Sequence, residues 1–458
     1  MRKSIYWCWI IAFVLVACSE TQKIQKLNTQ EFLQALSDPQ AIIIDTRDDS
    51  FYNGFREEGA KRGGHIKGAI QFSASWLDYL DMDFLESFAE QKGISKEKRL
   101  VFYDSDLDHL ERVSAEFASR GYQVGIYTSW LEYVNGDYPL ESFENFIYSV
   151  SPQWVYDVIE GKNPQSYQGG EVMIFEVSWG ELEDSKDYKQ HIKGAYHFNT
   201  DWIEEGPIWN FLHPDKIVQN LLKQGITSTK TIILYSSNQL AAYRVFLALK
   251  WVGVRDVRVM NGNLDTWINA GFSTENKKNI PIPQKEFGAK FVDHRWIIQL
   301  PQGIIQAQKE GLKLVSVRSW EEYIGEISGY SYIPRSGEPA GAIWGFGGSD
   351  ASNMADYYDP DGTLRNPLEI FALWREQGID QGDQVAFYCG TGWRAGVAWF
   401  MTQLVGWKDV KVYDGGWNAW QMDESLPVQI GAPKGMSKPD AKNNYGKVFK
   451  LGGASCKE

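Results

Sequence analysis

Cys389 combines a reactive side chain with a backbone setting that suits an anion. It follows an apolar run at 384–388 and precedes a helix-like stretch at 395–401, so it stands where a strand gives way to a helix. Two glycines in the loop between them allow backbone N–H groups to point inward, toward a bound negative charge. Such a setting favours the thiolate, which is the reactive form of cysteine. The sequence therefore predicts a nucleophile in an anion-binding loop made of Cys389, Gly390, Thr391, Gly392, Trp393 and Arg394.

The first residues of the chain have the features of an export signal. Arg2 and Lys3 precede an apolar stretch at 5–16, which is too short to span a bilayer and suits a signal peptide. The stretch ends in Leu-Val-Ala-Cys at 15–18, which resembles the lipobox of bacterial lipoproteins. That resemblance implies cleavage of residues 1–17, a lipid on Cys18, and anchoring to the outer membrane or another periplasm-facing membrane. An ordinary signal peptide and a short buried helix are the alternatives.

Cysteines are few, with four in the whole chain. Cys8 would leave with the signal and Cys18 would carry lipid, so only Cys389 and Cys456 would remain as thiols. So sparse a set in an exported protein argues against a disulfide framework. Cys456 lies in a polar tail, where it is either an incidental thiol or a partner for Cys389 or for another protein.

The composition excludes several kinds of partner. A net charge of −13 disfavours nucleic acid and anionic membrane surfaces, so membrane contact is expected through the lipid anchor only. Aromatic residues make up 14% of the chain, which suits large cores and apolar clefts. A chain of 458 residues predicts about three domains.

The chain repeats one unit three times. In each copy, short apolar runs alternate with helical patterns, which predicts βα units on a parallel sheet. Asp104, Ser236 and Cys389 occupy the same place in successive copies, directly after an apolar run. The predicted domains are residues 22–140, 150–276 and 284–430, followed by a flexible tail at 431–458.

Several short motifs in these copies resemble the rhodanese family. They are Asp45-x-Arg47 after a first strand, Gly-His-Ile-x-Gly-Ala at 64–69, the cysteine loop, and Gly-Gly-Trp-Asn-Ala-Trp at 415–420. The resemblance covers nearly all of the mature chain. It implies an α/β protein with three tandem rhodanese-like domains, each a parallel five-stranded sheet flanked by helices.

The three copies differ in the residues that matter for chemistry. The first has Asp104 and further aspartates in place of the cysteine loop, and the second has Ser236-Ser237-Asn238-Gln239, so both copies lack the thiol and the loop glycines. Tandem rhodaneses commonly pair inactive domains with one active C-terminal domain, and the first two copies are interpreted as inactive.

The third copy departs from the family pattern in two places. Ser316 stands where the first copy has an aspartate, and Glu338 stands where the first copy has a histidine. Conversely, the first copy keeps Asp45, Arg47 and His65 without a cysteine, which makes those residues scaffold. His65 and His191 are expected to be satisfied hydrogen-bonding residues near a turn.

The length of the cysteine loop bears on its substrate. Protein phosphatases use Cys-x5-Arg, which cradles a phosphate, whereas Cys389 to Arg394 is Cys-x4-Arg. The shorter loop resembles those of sulfurtransferases, whose bound group is a single sulfur atom. The resemblance implies a ping-pong reaction, in which Cys389 takes a sulfane sulfur from a small anionic donor, becomes a persulfide, and gives the sulfur to a thiol, cyanide or another thiophilic acceptor. No metal or organic cofactor is expected.

The other loop residues have roles that the sequence leaves open. Arg394 either holds the donor anion or steadies the loop, and Arg318 is a second substrate-binding candidate whose alternative is pairing with Glu322. Trp393 either walls the cleft or packs in the core. Thr391 either donates a hydrogen bond to the leaving group or caps the helix.

The donor also remains open between thiosulfate and mercaptopyruvate, with polysulfide and selenium or tellurium oxyanions as further options. The loop start Cys-Gly-Thr-Gly is similar to that of mercaptopyruvate sulfurtransferases. Two competing functions are a non-enzymatic surface scaffold of a respiratory or redox complex, and a thiol redox protein that uses Cys389 and Cys456.

An insertion at about 345–366 distinguishes the third copy. Its Asp359-Pro360-Asp361-Gly362 segment lacks the later ligands of a calcium-binding EF-hand and predicts a surface turn. The insertion as a whole is expected to cover the cleft and restrict donors.

Overall fold

The apolar runs that recur along the chain form the central strands of three separate parallel sheets. A computed structural model describes residues 24–289, 294–434 and 436. Each of the three sheets has five strands, and neighbouring strands within each sheet run parallel. The fold class expected from the repeats is therefore confirmed.

The first domain follows an α/β alternation. Its strands are β1 Gln25–Leu27, β2 Ala41–Asp45, β3 Ile70–Gln71, β4 Arg99–Tyr103 and β5 Gln123–Tyr127. Its α-helices are α1 Thr29–Leu36, α2 Asp49–Asn53, α3 Leu85–Gln91, α4 Leu107–Ser119 and α5 Trp130–Asn135. The sheet order is β1-β5-β4-β2-β3. Helix α1 begins at a capping box, in which Asn28 and Glu31 satisfy each other's backbone N–H groups.

The second domain repeats this arrangement and adds short antiparallel ribbons. Its strands are β6 Ser149–Val150, β7 Val172–Ser178, β8 His191–Ile192, β9 Tyr196–Asn199, β10 Glu204–Glu205, β11 Asn210–Phe211, β12 Thr231–Tyr235, β13 Asp256–Met260 and β14 Thr274–Glu275. Its α-helices are α6 Pro152–Ile159, α7 Pro214–Lys223, α8 Leu240–Trp251 and α9 Leu264–Asn269. The sheet order is β6-β13-β12-β7-β9, and β10 pairs with β11 as a separate ribbon.

The third domain places the cysteine loop at the centre of its sheet. Its strands are β15 Ile297–Ile298, β16 Lys313–Ser316, β17 Glu338–Pro339, β18 Ile343–Trp344, β19 Val385–Tyr388, β20 Val410–Tyr413 and β21 Val428–Gln429. Its α-helices are α10 Pro301–Lys309, α11 Trp320–Tyr323, α12 Pro367–Glu376, α13 Trp393–Leu404 and α14 Gly416–Gln421. The sheet order β15-β20-β19-β16-β18 makes β19 the middle strand, and Cys389 follows it directly. In the described ranges, no helix is long and apolar enough to cross a membrane.

The second and third domains share one continuous apolar core. Helix α8 of the second domain packs along α13 of the third, and Phe246 meets Phe400 edge-to-face at 4.9 Å. The two backbones approach so closely that a Cβ atom at Gly396 would lie 3.3 Å from the backbone of Arg244. This contact brings the second domain up to the start of α13, where the cysteine loop lies.

The insertion at 345–366 joins all three domains. Lys92 of the first domain is buried, and its Nζ lies 2.9 Å from a carboxylate oxygen of Asp359 and 2.9 Å from one of Glu369. Leu364 donates its backbone N–H to Asn261 of the second domain at 2.8 Å. The expectation of a surface turn at Asp359 is wrong, because this residue is only 1% exposed and its charge is paired across a domain interface.

We predict that Lys92→Met lowers the free energy of unfolding by about 3–5 kcal/mol, since it leaves the buried carboxylate of Asp359 without its paired cation, whereas Glu369 keeps its pair with Arg365. The matched control is Lys96→Met, which breaks an exposed pair with Glu86 and should cost less than about 1 kcal/mol. Denaturant unfolding of the full chain measures both values. Equal, small effects of the two variants would contradict the inter-domain role of Lys92.

Candidate active site

Cys389 lies at the carboxyl end of β19, between the ends of two neighbouring parallel strands. Its Sγ accepts a hydrogen bond from the backbone N–H of Gly392 at 3.1 Å, so the loop curls around the sulfur as its glycines predict. The residue is fully buried, which places the sulfur inside the loop instead of at its outer edge. A negative charge on this sulfur would face the backbone donor and the N-terminal end of α13.

The Gly-Gly motif after β20 forms the support beneath the loop. The backbone N–H of Trp417 donates to the carbonyl of Cys389 at 2.8 Å, and that of Asn418 donates to the carbonyl of Gly390 at 3.0 Å. Gly416 has a φ of +55°, and a Cβ atom there would come within 2.6 Å of the Cys389 carbonyl. The motif therefore requires glycine because its backbone lies directly against the nucleophile's backbone.

Both glycines of the loop are also required by their neighbours. A Cβ atom at Gly390 would collide with the ring of Tyr330. Gly392 has a left-handed φ of +98°, and a Cβ atom there would lie 2.6 Å from Nη1 of Arg244. In the second domain Gln239, at the corresponding position, also has a positive φ of +62°, although glycine is the residue that adopts such a φ without strain.

Arg394 and Arg318 share one buried carboxylate, that of Glu322. Arg394 binds both of its oxygens, at 2.7 and 2.9 Å, and Nε of Arg318 lies 3.2 Å from one of them. Burial alone would raise the pKa of Glu322, but the charges of Arg394 and Arg318 lower it to about 2. Glu322 thus fixes the position of both arginines. For Arg318, pairing with Glu322 is the alternative to substrate binding that the sequence analysis gave.

One donor of Arg394 is left over. Its Nε atom is buried and has no hydrogen-bond partner among the described residues, while Nη2 donates to the hydroxyl of Tyr330 at 3.2 Å. A contact of Arg394 with substrate stays a prediction. Nε is the Arg394 donor that such a contact would use.

Glu338 provides Arg318 of the third domain with a carboxylate partner, as Asp45 does for Arg47 of the first. In the first domain Arg47 pairs with Asp45 at 2.6 Å, and His65 stacks on Tyr52 with ring centroids 3.8 Å apart. In the third domain Glu338 stands in the histidine's place and pairs with Arg318 at 2.6 Å. Burial raises the pKa of Glu338 to about 7, although Arg318 beside it acts in the opposite direction.

The expectation of satisfied hydrogen-bonding histidines is met by His191 only in part, because its buried Nε2 has no hydrogen-bond partner among the described residues. His65 and His191 are buried, and their Nδ1 atoms lie 2.7 Å from the carbonyl oxygens of Tyr52 and Tyr188. Neither belongs to the third domain.

The loops of the first two domains have lost the setting for sulfur chemistry. Asp104 accepts a hydrogen bond from the hydroxyl of Thr46 at 2.7 Å, and burial raises the pKa of Asp104 to about 6. The Ser236 hydroxyl accepts the backbone N–H of Ala242 at 3.2 Å. The structure therefore places a thiol in only one of the three loops.

The second domain supplies residues to the site that no sequence pattern identified. Trp393 is buried, and its indole N–H donates to a carboxylate oxygen of Glu204 at 2.8 Å. Glu204 in turn pairs with Arg244 at 3.1 Å. These contacts depend on how two domains pack, so the position of Glu204 in the chain carries no signal of them. Trp393 faces the partner domain as much as the loop.

The insertion of the third domain touches the site at one end only. The carbonyl of Asp350 accepts from Nη1 of Arg394 at 3.4 Å, and that of Ala351 accepts from the Tyr330 hydroxyl at 3.4 Å. Its other end binds the first and second domains. The expectation that it covers the cleft is thus met only by residues near 350. Cys18, Cys456 and most of the tail lie outside the described residues.

Comparison with protein families decides the class of the chain. The model of the rhodanese-like domain matches three segments, at residues 28–133, 151–270 and 302–423. The chain belongs to the rhodanese family. The resemblance drawn from the motifs is therefore confirmed, with one family domain for each of the three sheets.

Named rhodanese relatives act in sulfur transfer. The chain is 35% identical over 403 residues to the thiosulfate sulfurtransferase YnjE of Escherichia coli K12. This match covers 87% of the present chain and 91% of YnjE. It is 30% identical over 302 residues to the sulfur carrier protein TtuD of Thermus thermophilus, which covers 62% of this chain and 96% of that one.

Solved structures extend the likeness to an enzyme of ergothioneine biosynthesis. The anaerobic ergothioneine biosynthesis enzyme of Chlorobium limicola, solved with its substrate trimethyl histidine, aligns with a TM-score of 0.85 at 33% identity, over 90% of this chain and 100% of that one. A variant of EanB, solved with ergothioneine in a tetrahedral intermediate state, carries a persulfide on a cysteine and aligns with a TM-score of 0.84.

Of the two positions altered in variants of EanB, one corresponds in spacing to a loop residue that the sequence already predicts, and the other to a residue that it does not. In one variant of EanB, a tyrosine is replaced 59 residues before the cysteine that carries the persulfide. In another variant, a threonine is replaced two residues after the position of that cysteine. Tyr330 and Thr391 stand at the same spacings from Cys389. Tyr330 lies against Gly390 and Arg394, so sequence reasoning missed a residue that the geometry brings to the loop.

We predict that Glu322→Gln lowers stability at neutral pH and loses this effect in acid. The pKa of Glu322 is about 2 in the folded chain and near 4.5 in the unfolded chain. The ionised carboxylate therefore stabilises the fold fully at a pH above about 4.5. Thermal melting should show a large deficit of the variant at pH 7, which shrinks as the pH falls from about 4.5 toward 2.

The matched control is Glu326→Gln, an exposed change in the same segment. It should melt like the unaltered protein at every pH. A deficit of Glu322→Gln that stays constant in acid would contradict the assignment of an ionised, paired Glu322.

Proposed function

We propose that this protein is a sulfurtransferase that carries a sulfane sulfur as a persulfide on Cys389. The observation that carries the proposal is the N–H of Gly392, held 3.1 Å from the Cys389 sulfur at the end of the central strand. Family membership and the sulfur-transferring relatives support it. The loops of the first and second domains offer no thiol, so a single domain performs the reaction.

The reaction has two displacement steps. The Cys389 thiolate attacks the outer sulfur of the donor, a new S–S bond forms, and the donor's own bond to that sulfur breaks with its electron pair. Sulfite leaves if the donor is thiosulfate, and the enolate of pyruvate leaves if it is mercaptopyruvate. An acceptor thiolate or cyanide then attacks the terminal sulfur, and the Cys389 thiolate is restored. Backbone N–H groups stabilise the negative sulfur between the steps.

The loop geometry bears on the kind of donor. Arg394 is the loop's only cation, and its two terminal nitrogens are bound to Glu322. Thiosulfate is a dianion, whereas mercaptopyruvate is a monoanion with an uncharged thiol. A loop whose cation is already paired suits the less charged donor, so we propose mercaptopyruvate as the better donor of the two.

A second candidate differs only in the acceptor. The spacing of Tyr330 and Thr391 from Cys389 matches the positions altered in EanB, which was solved with hercynine and with ergothioneine, and a similar ergothioneine biosynthesis enzyme was solved with trimethyl histidine. In this version an imidazole carbon of a methylated histidine would bond to the outer sulfur of the persulfide, the S–S bond would break with its electron pair to restore the Cys389 thiolate, and the proton of that carbon would leave to solvent, with the hydroxyl of Tyr330 beside the loop.

We predict that incubation with mercaptopyruvate or thiosulfate adds one sulfur atom to the full chain, and that Cys389→Ser abolishes this gain. Intact-mass spectrometry measures it, and mercaptopyruvate should load the protein faster. Cys456→Ser is the matched control and should load like the unaltered protein.

Each other outcome favours a different function. No adduct with any sulfane donor would support the surface scaffold, and loss of loading in Cys456→Ser would support a redox pair. Loaded protein is then divided among cyanide, a small thiol and trimethylated histidine. Discharge by the histidine alone would move the assignment to carbon sulfuration.

We further propose that the protein is exported and anchored by lipid on Cys18. The basic start, the short apolar stretch and the Leu-Val-Ala-Cys sequence support this. The anchor would place sulfur transfer at a membrane surface facing the periplasm.

We predict that Cys18→Ala abolishes incorporation of labelled palmitate and leaves a chain that retains residues 1–17. Cys8→Ala, the matched control within the signal, should leave both labelling and cleavage intact. Gel mobility and labelling of the expressed full chain measure these outcomes. Labelling that survives in Cys18→Ala would overturn the lipoprotein assignment.

A further inference from the structure

Arg244 of the second domain lies directly behind the cysteine loop of the third. It is fully buried on α8, and a Cβ atom at Gly392 would lie 2.6 Å from its Nη1. Gly392 is also the residue whose N–H points at the Cys389 sulfur. The guanidinium of Arg244 thus packs against Gly392 and limits how far the Gly392 N–H can move from the Cys389 sulfur.

Two buried carboxylates hold Arg244 in place. Its Nε donates to Glu204 at 3.1 Å, and its Nη1 lies 2.6 Å from Asp414. The ring of Phe211 covers the guanidinium with its centroid 3.5 Å from Cζ. Burial alone would lower the pKa of Arg244, but the charges of Asp414 and Glu204 raise it, so the side chain stays a cation.

Each of these carboxylates leads to a different side of the loop. Glu204 accepts the indole N–H of Trp393 at 2.8 Å, which fixes the first residue of α13. Asp414 directly precedes the Gly-Gly motif that supports the Cys389 carbonyl, and it also accepts the backbone N–H of Phe211 at 2.7 Å. Arg244 is therefore the shared partner of the two segments that enclose the loop.

We propose that Arg244 is a positioning residue for the Cys389 loop: it holds Gly392 and Trp393 on one side and Asp414 on the other, so that the inactive second domain completes the active site of the third. The proposal rests on the role of Cys389 as the nucleophile of the proposed function. Without Arg244, the backbone donor gains room to withdraw from the sulfur. Glu204 and Asp414 would then face the loop as two uncompensated negative charges.

Other charged and titratable groups surround the loop from the third domain, and the variants below leave them unchanged. They are Arg394, Arg318, Glu322, Glu338 and Tyr330.

The test measures alkylation of Cys389 by iodoacetamide as a function of pH, read on the Cys389 peptide of the full chain. Arg244→Met should move the pH of half-maximal rate upward by about one unit or more, because the thiolate loses its donor and gains two negative neighbours. Glu204→Gln keeps an acceptor for Trp393 but removes a negative charge, and should move this pH downward. A merely structural role would not give shifts of opposite sign.

The matched control is Arg258→Met, which removes a buried arginine of the same domain that pairs with Asp256 and Ser166. It should leave the alkylation profile unchanged. If Arg244→Met does not fold, Arg244→Lys serves in its place. Lysine keeps the positive charge but binds Glu204 and Asp414 less firmly, so the pH of half-maximal alkylation should rise by a smaller amount. The proposal fails if the Arg244 variants match the unaltered protein or Arg258→Met.

Alkylation needs no sulfur donor, so the two proposals can fail separately. Loss of persulfide loading in the unaltered protein would reject sulfur transfer while the pH shifts could still be read. Normal loading together with unshifted profiles would reject only the positioning role.

Discussion

The site depends on one buried carboxylate between two arginines. Glu322 begins as part of the capping box of a single helical turn, with Ser319, and then accepts Arg394 from α13 and Arg318 from the end of β16. A carboxylate is stable in such a place only because two cations offset the loss of water. The helix that follows the cysteine is thereby fixed to the neighbouring strand, and the loop between them has a defined shape.

The first two domains share the fold of the third but have no cysteine in the corresponding loops. The second domain has neither the thiol nor the glycines in its own loop, but its helix α8 and its ribbon β10-β11 lie against the Cys389 loop. The first domain is bound through Lys92 to the insertion of the third.

The fold and the loop could be read from the sequence because both are local patterns. Apolar runs, the Gly-Gly motif and the six-residue cysteine loop each lie within a few residues of one another. Arg244, Glu204 and Tyr330 could not be assigned to the site, because their contacts arise from domain packing and a long loop. Asp359 was misplaced for the same reason: a polar turn looks exposed until another domain is known to cover it with Lys92.

The late position of the insertion in the chain has a consequence for biogenesis. Lys92 is synthesised long before Asp359 and Glu369, so the first domain emerges with a lysine whose buried partners do not yet exist. A buried cation without a counter-charge is unfavourable, and this part of the first domain is expected to stay hydrated until the third domain arrives. The contacts of Lys92 with Asp359 and Glu369 can therefore form only after the third domain has been synthesised.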